Sequence, residues 1–306
     1  GTPPKRMGIF DGDKLVASAQ LTLHHVPKTK FQIAYLPKGP VIPGSPQKLL
    51  PIFTESFREL AQKENLIFLK TEPKVEENEE WSRALKSCGF KKSPKWIFTE
   101  YNFLIDLTGA EEDILARMKK NGRYYIKSAG LKGVTTEVDH SEEAFKKHLE
   151  LQRLTAKRQS FLLHTDRYYE DLWHTLSPEK MAYLLTAKYQ GRIIATWVAL
   201  HFGKTIYYTF GAYDTAYKDL TPMHALVWAA IRLGRDLGCE TLDLWGAGNP
   251  ELGERQKIWG SHQFKENFGP RLVKYLGPYD LVFKSGFYRL FNTFYQPSLK
   301  VLSWLK

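Results

Sequence analysis

Cysteine is nearly missing from this chain of 306 residues: Cys88 and Cys239 are the only two. They stand far apart and outside any metal-binding spacing. That excludes a disulfide framework and a thiolate metal site, and it points to a reducing compartment. Long apolar runs are missing too. With no stretch of about eighteen apolar residues, no segment reads as a membrane-spanning helix. The nine histidines show no ligand spacing, so no metal is expected. Acidic residues are in deficit, 33 against 44 basic ones, for a net charge of +11. The excess is spread along the chain and favours polyanionic partners: nucleic acid, anionic lipid or a phosphorylated substrate. Hydrophobic content of 43% and aromatic content of 14% are ample for a core and exclude disorder. The length suits two domains or one large one. No leader pattern opens the chain. Gly1-Thr2-Pro3-Pro4 runs at once into a strand, and an upstream element is expected to be missing there.

What is present reads as alternating strands and helices. Met7 to Phe10 is a strand, Asp11-Gly12-Asp13 a hairpin turn, and Leu15 to Val26 a long strand with Leu15, Ala17, Ala19, Leu21 and Leu23 on one face. Phe31 to Leu36 returns. Ser45 and Pro46 open a helix to Glu64, Leu66 to Leu69 is a buried strand closed by Glu72-Pro73, and Trp81 to Ser87 is a helix stopped at Gly89. Trp96 to Leu107 reads as a strand and Glu111 to Ala129 as one basic helix. Val134 to Val138 is a strand, Ser141 caps a helix to Gln159, and Asp166 to Thr175 is a shorter helix. Strands Met181 to Lys188, Ile193 to Phe202 and Ile206 to Phe210 follow. Pro222 opens a helix ending at Leu237-Gly238; Arg271 to Phe283 is extended, and Phe287 to Leu305 is a helix rich in aromatics.

The order hairpin, helix, strand, helix occurs twice. Asp11-Gly12-Asp13 leads to LVASAQLTLHH, FQIAYLPKGP, a helix, IFLKTEP, a helix and Cys88-Gly89-Phe90; Gln190-Gly191 leads to IIATWVALHFG, IYYTFGAYD, a helix, TLDLWGA and Asn267-Phe268-Gly269. This is the order of an acetyltransferase-like module with a mixed sheet. The expected domains are 1–100, 101–275, and a C-terminal segment 276–306 that packs back on the first module, with a cleft between the modules.

Thr241 to Pro270 carries the densest chemistry. A short buried strand ends in Gly246, Ala247 and Gly248, which admit close backbone approach. Beyond a polar stretch come Phe264 and Lys265, then Phe268 and Gly269. A lysine held beside an aromatic at a strand end can grip a phosphate or steady an oxyanion. It can equally be a surface lysine whose stem covers two rings. Asp243 and Glu254 offer acid–base groups, but a strand-end aspartate more often satisfies backbone.

Six words in order carry a resemblance: AYLPKGPV (34–41), RMKKNGRYYIKSAGLKGV (117–134), TAKRQSF (155–161), YYTFGAYD (207–214), LDLWGAG (242–248) and FKENFGPRLVKYLGPYDL (264–281). The chain resembles the FemABX family of peptidoglycan-bridge aminoacyl-transferases. The resemblance implies an α/β fold of two tandem GNAT-like modules with mixed sheets, here without a coiled-coil arm. It implies transfer of an amino acid from aminoacyl-tRNA to an amine on the stem peptide of a peptidoglycan precursor, lipid-linked or nucleotide-linked. It further implies no cofactor, a monomer in the cytoplasm, and peripheral contact with the inner face of the membrane. The family's catalytic Phe-Lys pair falls on Phe264 and Lys265. A family aspartate falls on Glu72, and a tyrosine five residues earlier on Ile67. A phosphate-gripping arginine falls on His164, its companion tyrosine on Tyr168, and a second tyrosine on Phe210. Lys38, Tyr208 and Trp245, which lie in the matching words, complete the expected substrate-binding set.

The basic helix, with Lys119, Lys120, Arg123 and Lys127 around Tyr124 and Tyr125, suits tRNA; a solvated helix face explains it equally. The C-terminal aromatics with Arg289, Lys300, Trp304 and Lys306 suit an anionic membrane surface or a helix packed on the first module. Two other functions compete. A coenzyme-A acyltransferase lacks its pyrophosphate signature here, because Arg235 to Glu240 fails at the last position. A non-catalytic basic RNA- or lipid-binding protein is the other.

Overall fold

The computed structural model describes residues 3–159 and 162–294. The end of the 155–161 word, and Lys300, Trp304 and Lys306 with the rest of the expected C-terminal helix past 294, lie outside the described residues. The chain divides into two compact units, Gly1–Glu100 with Lys274–Lys306, and Tyr101–Val273.

The first unit opens with antiparallel β1 (Lys5–Asp11), β2 (Lys14–His25) and β3 (Gln32–Lys38). Alternation along β2 buries Ala17, Ala19, Leu21 and Leu23, while Leu15 at its start is exposed. Helix α1 (Leu49–Lys63) begins four residues after the expected Ser45, with no side-chain cap at Lys48. Pro51 explains the late start. In the first turn its missing N–H does no harm, but its ring would strike a helical carbonyl four residues earlier. Strand β4 (Leu66–Pro73) runs parallel to β3, and all eight of its residues are buried. Helix α2 (Glu79–Ser87) is capped by Asn78, whose Oδ1 accepts from Trp81 N at 2.9 Å. A three-residue strand, β5 (Phe90–Lys92), follows, too short to show a period.

In the second unit the strand expected from Trp96 begins only at Tyr101, as β6 (Tyr101–Asp106), because Ile97 N and Phe98 N donate to the Glu72 carboxylate instead of to a strand partner. The expected helix Glu111–Ala129 is two helices, α3 (Glu111–Arg117) and α4 (Lys120–Leu131). Met118 and Lys119 between them are extended, with ψ of 148° and 153°. Then come β7 (Thr135–Val138), α5 (Glu142–Gln159), α6 (Asp166–Leu176), β8 (Ala182–Tyr189), β9 (Arg192–Phe202), β10 (Thr205–Tyr213), α7 (Pro222–Asp236), β11 (Thr241–Ala247), α8 (Trp259–Glu266) and β12 (Arg271–Lys274). Helix α8 carries Phe264 and Lys265, which the sequence set next to a strand end without assigning them an element. The sheet runs β12-β6-β11-β10-β9-β8-β7. Helix α7 covers one face, over Trp197, Leu242 and Leu244, and α5 with α6 the other, over Leu184 and Val198.

The chain then returns to the first unit. The expected extended stretch Arg271–Phe283 divides into β12 and β13 (Tyr279–Val282), followed by α9 (Ser285–Phe294). β13 inserts between β4 and β5, giving the order β1-β2-β3-β4-β13-β5. Thus 279–282 is an interior strand of that sheet rather than a segment laid over it. Tyr288 and Phe291 of α9 cover Phe68 on the face away from α1. No helix among the described residues is long and apolar enough to cross a membrane.

Candidate active site

In the second unit β10 and β11 pair in parallel over only three positions, Thr205 with Thr241, Ile206 with Leu242 and Tyr207 with Asp243. Beyond that point β11 is bent by a bulge. Asp243 pairs with Leu104 of β6 and Gly246 with Asn102, so Leu244 and Trp245 together oppose Phe103. Trp245 takes φ of 63°, a conformation that non-glycine residues adopt only under constraint. The constraint is Asp243, whose Oδ1 accepts from Trp245 N at 2.8 Å and from Asn102 Nδ2 at 3.0 Å.

The bulge presents the Gly246 carbonyl to Lys265. Nζ donates to Gly246 O at 2.6 Å and lies 5.5 Å from the Tyr208 ring centroid. Lys265 is only 5% exposed, so it is no snorkelling surface lysine. Burial pushes its pKa down to about 8, partly offset by the negative charge of Asp243. Tyr208 packs at 4.4 Å on Trp197, and burial holds its hydroxyl well above the usual tyrosine range.

Lys265 is held from behind by the turn that ends α8. Lys119 N donates to Asn267 O at 3.0 Å, and a Cβ on Gly269 would meet Arg117 O at 2.1 Å. This contact breaks the expected basic helix; nothing in Arg117-Met118-Lys119-Lys120 itself opposes helix. His262, one turn before Lys265, is buried between Trp259 (4.2 Å) and Phe103 (4.7 Å).

Phe264 points elsewhere. It lines a pocket of about 510 Å³ with Tyr124, Tyr125, His224, Lys132 and Lys218. The rings form a continuous wall, with Tyr124 and Tyr125 5.5 Å apart, Tyr125 and His224 4.7 Å, and His224 and Phe264 4.9 Å. Burial pushes His224 down to about 4, so its ring is neutral at ordinary pH. Its Nε2 has no hydrogen-bond partner among the described residues. His224, Lys132 and Lys218 were not singled out in the sequence. Only the position of His224, two residues into a helix opened by Pro222, hinted at a helix-end site.

Other expected residues gather in part. His164 stacks on Tyr168 at 4.1 Å, and Tyr169 meets Phe210 edge-on at 5.1 Å. Trp245 lies 6.1 Å from Tyr207. Of the basic set, Arg123 donates to the Leu115 and Met118 carbonyls at the end of α3, and Lys119 pairs with Glu266 at 3.0 Å. Lys120 and Lys127 are exposed. In the first unit, Glu72 is buried and accepts from Tyr35 Oη (2.7 Å), Ile97 N (2.8 Å) and Phe98 N (3.1 Å). Those donors fix the 96–98 loop. Lys38, at φ of 57°, holds Nζ 4.3 Å from the Phe98 ring centroid, and Ile67 is buried in the core.

Known proteins agree with this architecture. Residues 1–87 match the FemAB family, and residues 116–265 match an acetyltransferase (GNAT) domain. A lipid II:glycine glycyltransferase of Staphylococcus aureus (strain MRSA252) is 20% identical, over 94% of this chain and 85% of its own length. One from Staphylococcus saprophyticus is 21% identical over the same shares. The crystal structure of FemX superposes with a TM-score of 0.88 at 20% identity, covering 95% of this chain and 90% of its own. With two mixed sheets built in the same order, the FemAB match over residues 1–87 and the GNAT match over residues 116–265, the chain has the tandem GNAT-like fold and is similar to the FemABX family.

Proposed function

We propose that this protein transfers an amino acid from aminoacyl-tRNA to an amine on the stem peptide of a peptidoglycan precursor. The observation that carries the reading is Lys265: a buried lysine fixed at one proton by Gly246 O, at the point where the sheet parts, and next in the chain to Phe264, which lines an aromatic pocket. The names of the relatives support the acceptor class.

The chemistry is aminolysis of an ester. The amine nitrogen attacks the carbonyl carbon that joins the amino acid to the terminal ribose. The carbonyl oxygen becomes an oxyanion, the carbon–oxygen bond to the ribose breaks, and the amine proton passes to the leaving oxygen through the vicinal ribose hydroxyl. The ester is already activated, so positioning and a nearby positive charge suffice. With a pKa of about 8, Lys265 is an ammonium at neutral pH and has protons left for an oxyanion after Gly246 O is served. The wall of Tyr124, Tyr125, His224 and Phe264 offers stacking faces for an unpaired nucleotide, and Lys132 and Lys218 offer charge to its phosphates. Lys120 and Lys127 extend that charge, while Lys38, Tyr168 and His164 are proposed to contact the acceptor, at the inner face of the membrane.

The test is to offer the protein a mixture of charged tRNAs with nucleotide-linked and lipid-linked pentapeptide precursors and to look for added mass on the peptide. One amino-acid increment is expected, with tRNA binding that weakens steeply as salt rises. No added mass from any charged tRNA, together with acetylation from acetyl-coenzyme A, would overturn the reading.

A further inference from the structure

Lys265 is buried where a lone ammonium is unfavourable, and the position demands a compensating charge. The groups around it are few. Tyr208 on β10 shows it a ring face at 5.5 Å. His262 and Glu266 share its own helix, and Glu266 is engaged by Lys119 at 3.0 Å. Asp243 on β11 has no solvent exposure, and its charge favours the Lys265 ammonium. The same carboxylate accepts from Asn102 Nδ2 and Trp245 N, and the bulge it closes ends at Gly246, whose carbonyl meets Nζ. One side chain therefore stands behind both the acceptor and the counter-charge of Lys265.

We propose that Asp243 is a positioning residue for Lys265: held by Asn102 and the Trp245 N–H, its carboxylate shapes the bulge that delivers the Gly246 carbonyl to Nζ and supplies the buried counter-charge behind it. The link to catalysis rests on the transfer reading above; the pairing itself does not. Asp243 exchanges no proton with substrate and does not touch the reacting atoms.

The test is Asp243→Asn in the full chain. Asparagine keeps an Oδ1 for the Trp245 N–H and removes the charge. The titration of Lys265 is followed by NMR of protein labelled with 13Cε-lysine, its resonance assigned by its loss in Lys265→Met. In the parent it should titrate near pH 8. In Asp243→Asn the midpoint should fall by about one pH unit, a tenfold rise in the ammonium dissociation constant. Because the charged form is the one required, transfer in the parent should fall as pH rises through that midpoint. In the variant this limb should move to lower pH by the same interval, with KM little changed. An unmoved Lys265 titration would overturn the inference whatever transfer does. A shifted titration with Lys265→Met still transferring at the parent rate would support the pairing and sink the catalytic reading instead. If Asp243→Asn does not fold, Asp243→Ser, which keeps a hydroxyl oxygen for the Trp245 N–H and also lacks the charge, gives the same measurement: the Lys265 midpoint should again fall. An unmoved midpoint overturns the inference equally.

Discussion

In the first unit β3 and β4 stay paired from Gln32 and Leu66 out to Lys38 and Pro73; in the second, β10 and β11 part after Tyr207 and Asp243. Both strand pairs are parallel, and each is followed by a helix whose penultimate residue is a lysine, Lys86 on α2 and Lys265 on α8. Lys86 is exposed, and Lys265 is 5% exposed. The difference lies in the end of the parallel strand. β4 runs straight to Glu72, whose carboxylate is consumed by three donors of its own unit. β11 bends at Asp243 and turns a carbonyl toward the helix. One repeat thus makes a closed sheet, and the other makes a sheet with a charged group sealed beside its opening.

The largest effect should come from the glycines that follow these helices. Gly269, at φ of +65°, would set a Cβ 2.1 Å from Arg117 O, whereas a Cβ on Gly89, at φ of +89°, meets nothing nearer than the Arg58 side chain at 3.6 Å. Gly269→Ala should destabilise the protein by more than about 3 kcal/mol, backbone collision added to the left-handed strain, and Gly89→Ala by about 1 kcal/mol from the strain alone. Denaturant melts of both variants check this. Equal losses would mean that the turn after α8 is no more constrained than its counterpart.

Next comes Lys265→Met, which should lower kcat roughly a hundredfold, about 3 kcal/mol in the barrier, with KM less affected; the variant should still fold, with a lower melting temperature because Asp243 and the Gly246 carbonyl lose their partner. Lys265→Arg should recover only part of the rate, since a planar guanidinium replaces a compact ammonium. Lys86→Met, at the matching place in the other repeat, should transfer at the parent rate. A parent-like rate for Lys265→Met would erase the functional contrast between the units.

The smallest effect should come from Glu72→Gln. The amide keeps an oxygen for Ile97 N and Phe98 N and loses the charge that Tyr35 Oη bonds to, so a loss of about 1 kcal/mol in stability is expected. Transfer should change less than about fivefold, which is about 1 kcal/mol. A hundredfold fall in transfer at unchanged stability would mark Glu72 as the substrate contact that the resemblance implies.

The strands were readable because their signal is local. Alternation in Ala17-Ser18-Ala19-Gln20-Leu21, and Pro222 and Gly238 at the ends of α7, fix those elements from neighbours alone. The break after Arg117 was not readable, since it is imposed by Asn267 and Gly269, some 150 positions later in the chain. Nor was α8, whose short polar stretch Trp259-Gly260-Ser261-His262 carries a helix breaker in its first turn. At the site, Phe264 and Lys265 stood out as a pair. The sequence could not show that they face different surroundings, or that the lysine's acceptor is a backbone carbonyl nineteen residues earlier, offered by a bulge. Asp243 looked like a residue that merely satisfies backbone; it does so, and that bond builds the bulge.

The insertion of β13 between β4 and β5 has a consequence for synthesis. Every strand of the second sheet lies between Tyr101 and Lys274, so that sheet can close as soon as β12 clears the ribosome. The first sheet, though translated first, lacks an interior strand until Tyr279–Val282 emerges. Until then β4 is an open edge with eight core residues waiting for cover. In the nascent chain the earlier half is therefore the later one to mature, and its β4 edge stays open while the roughly two hundred residues between β4 and β13 are made.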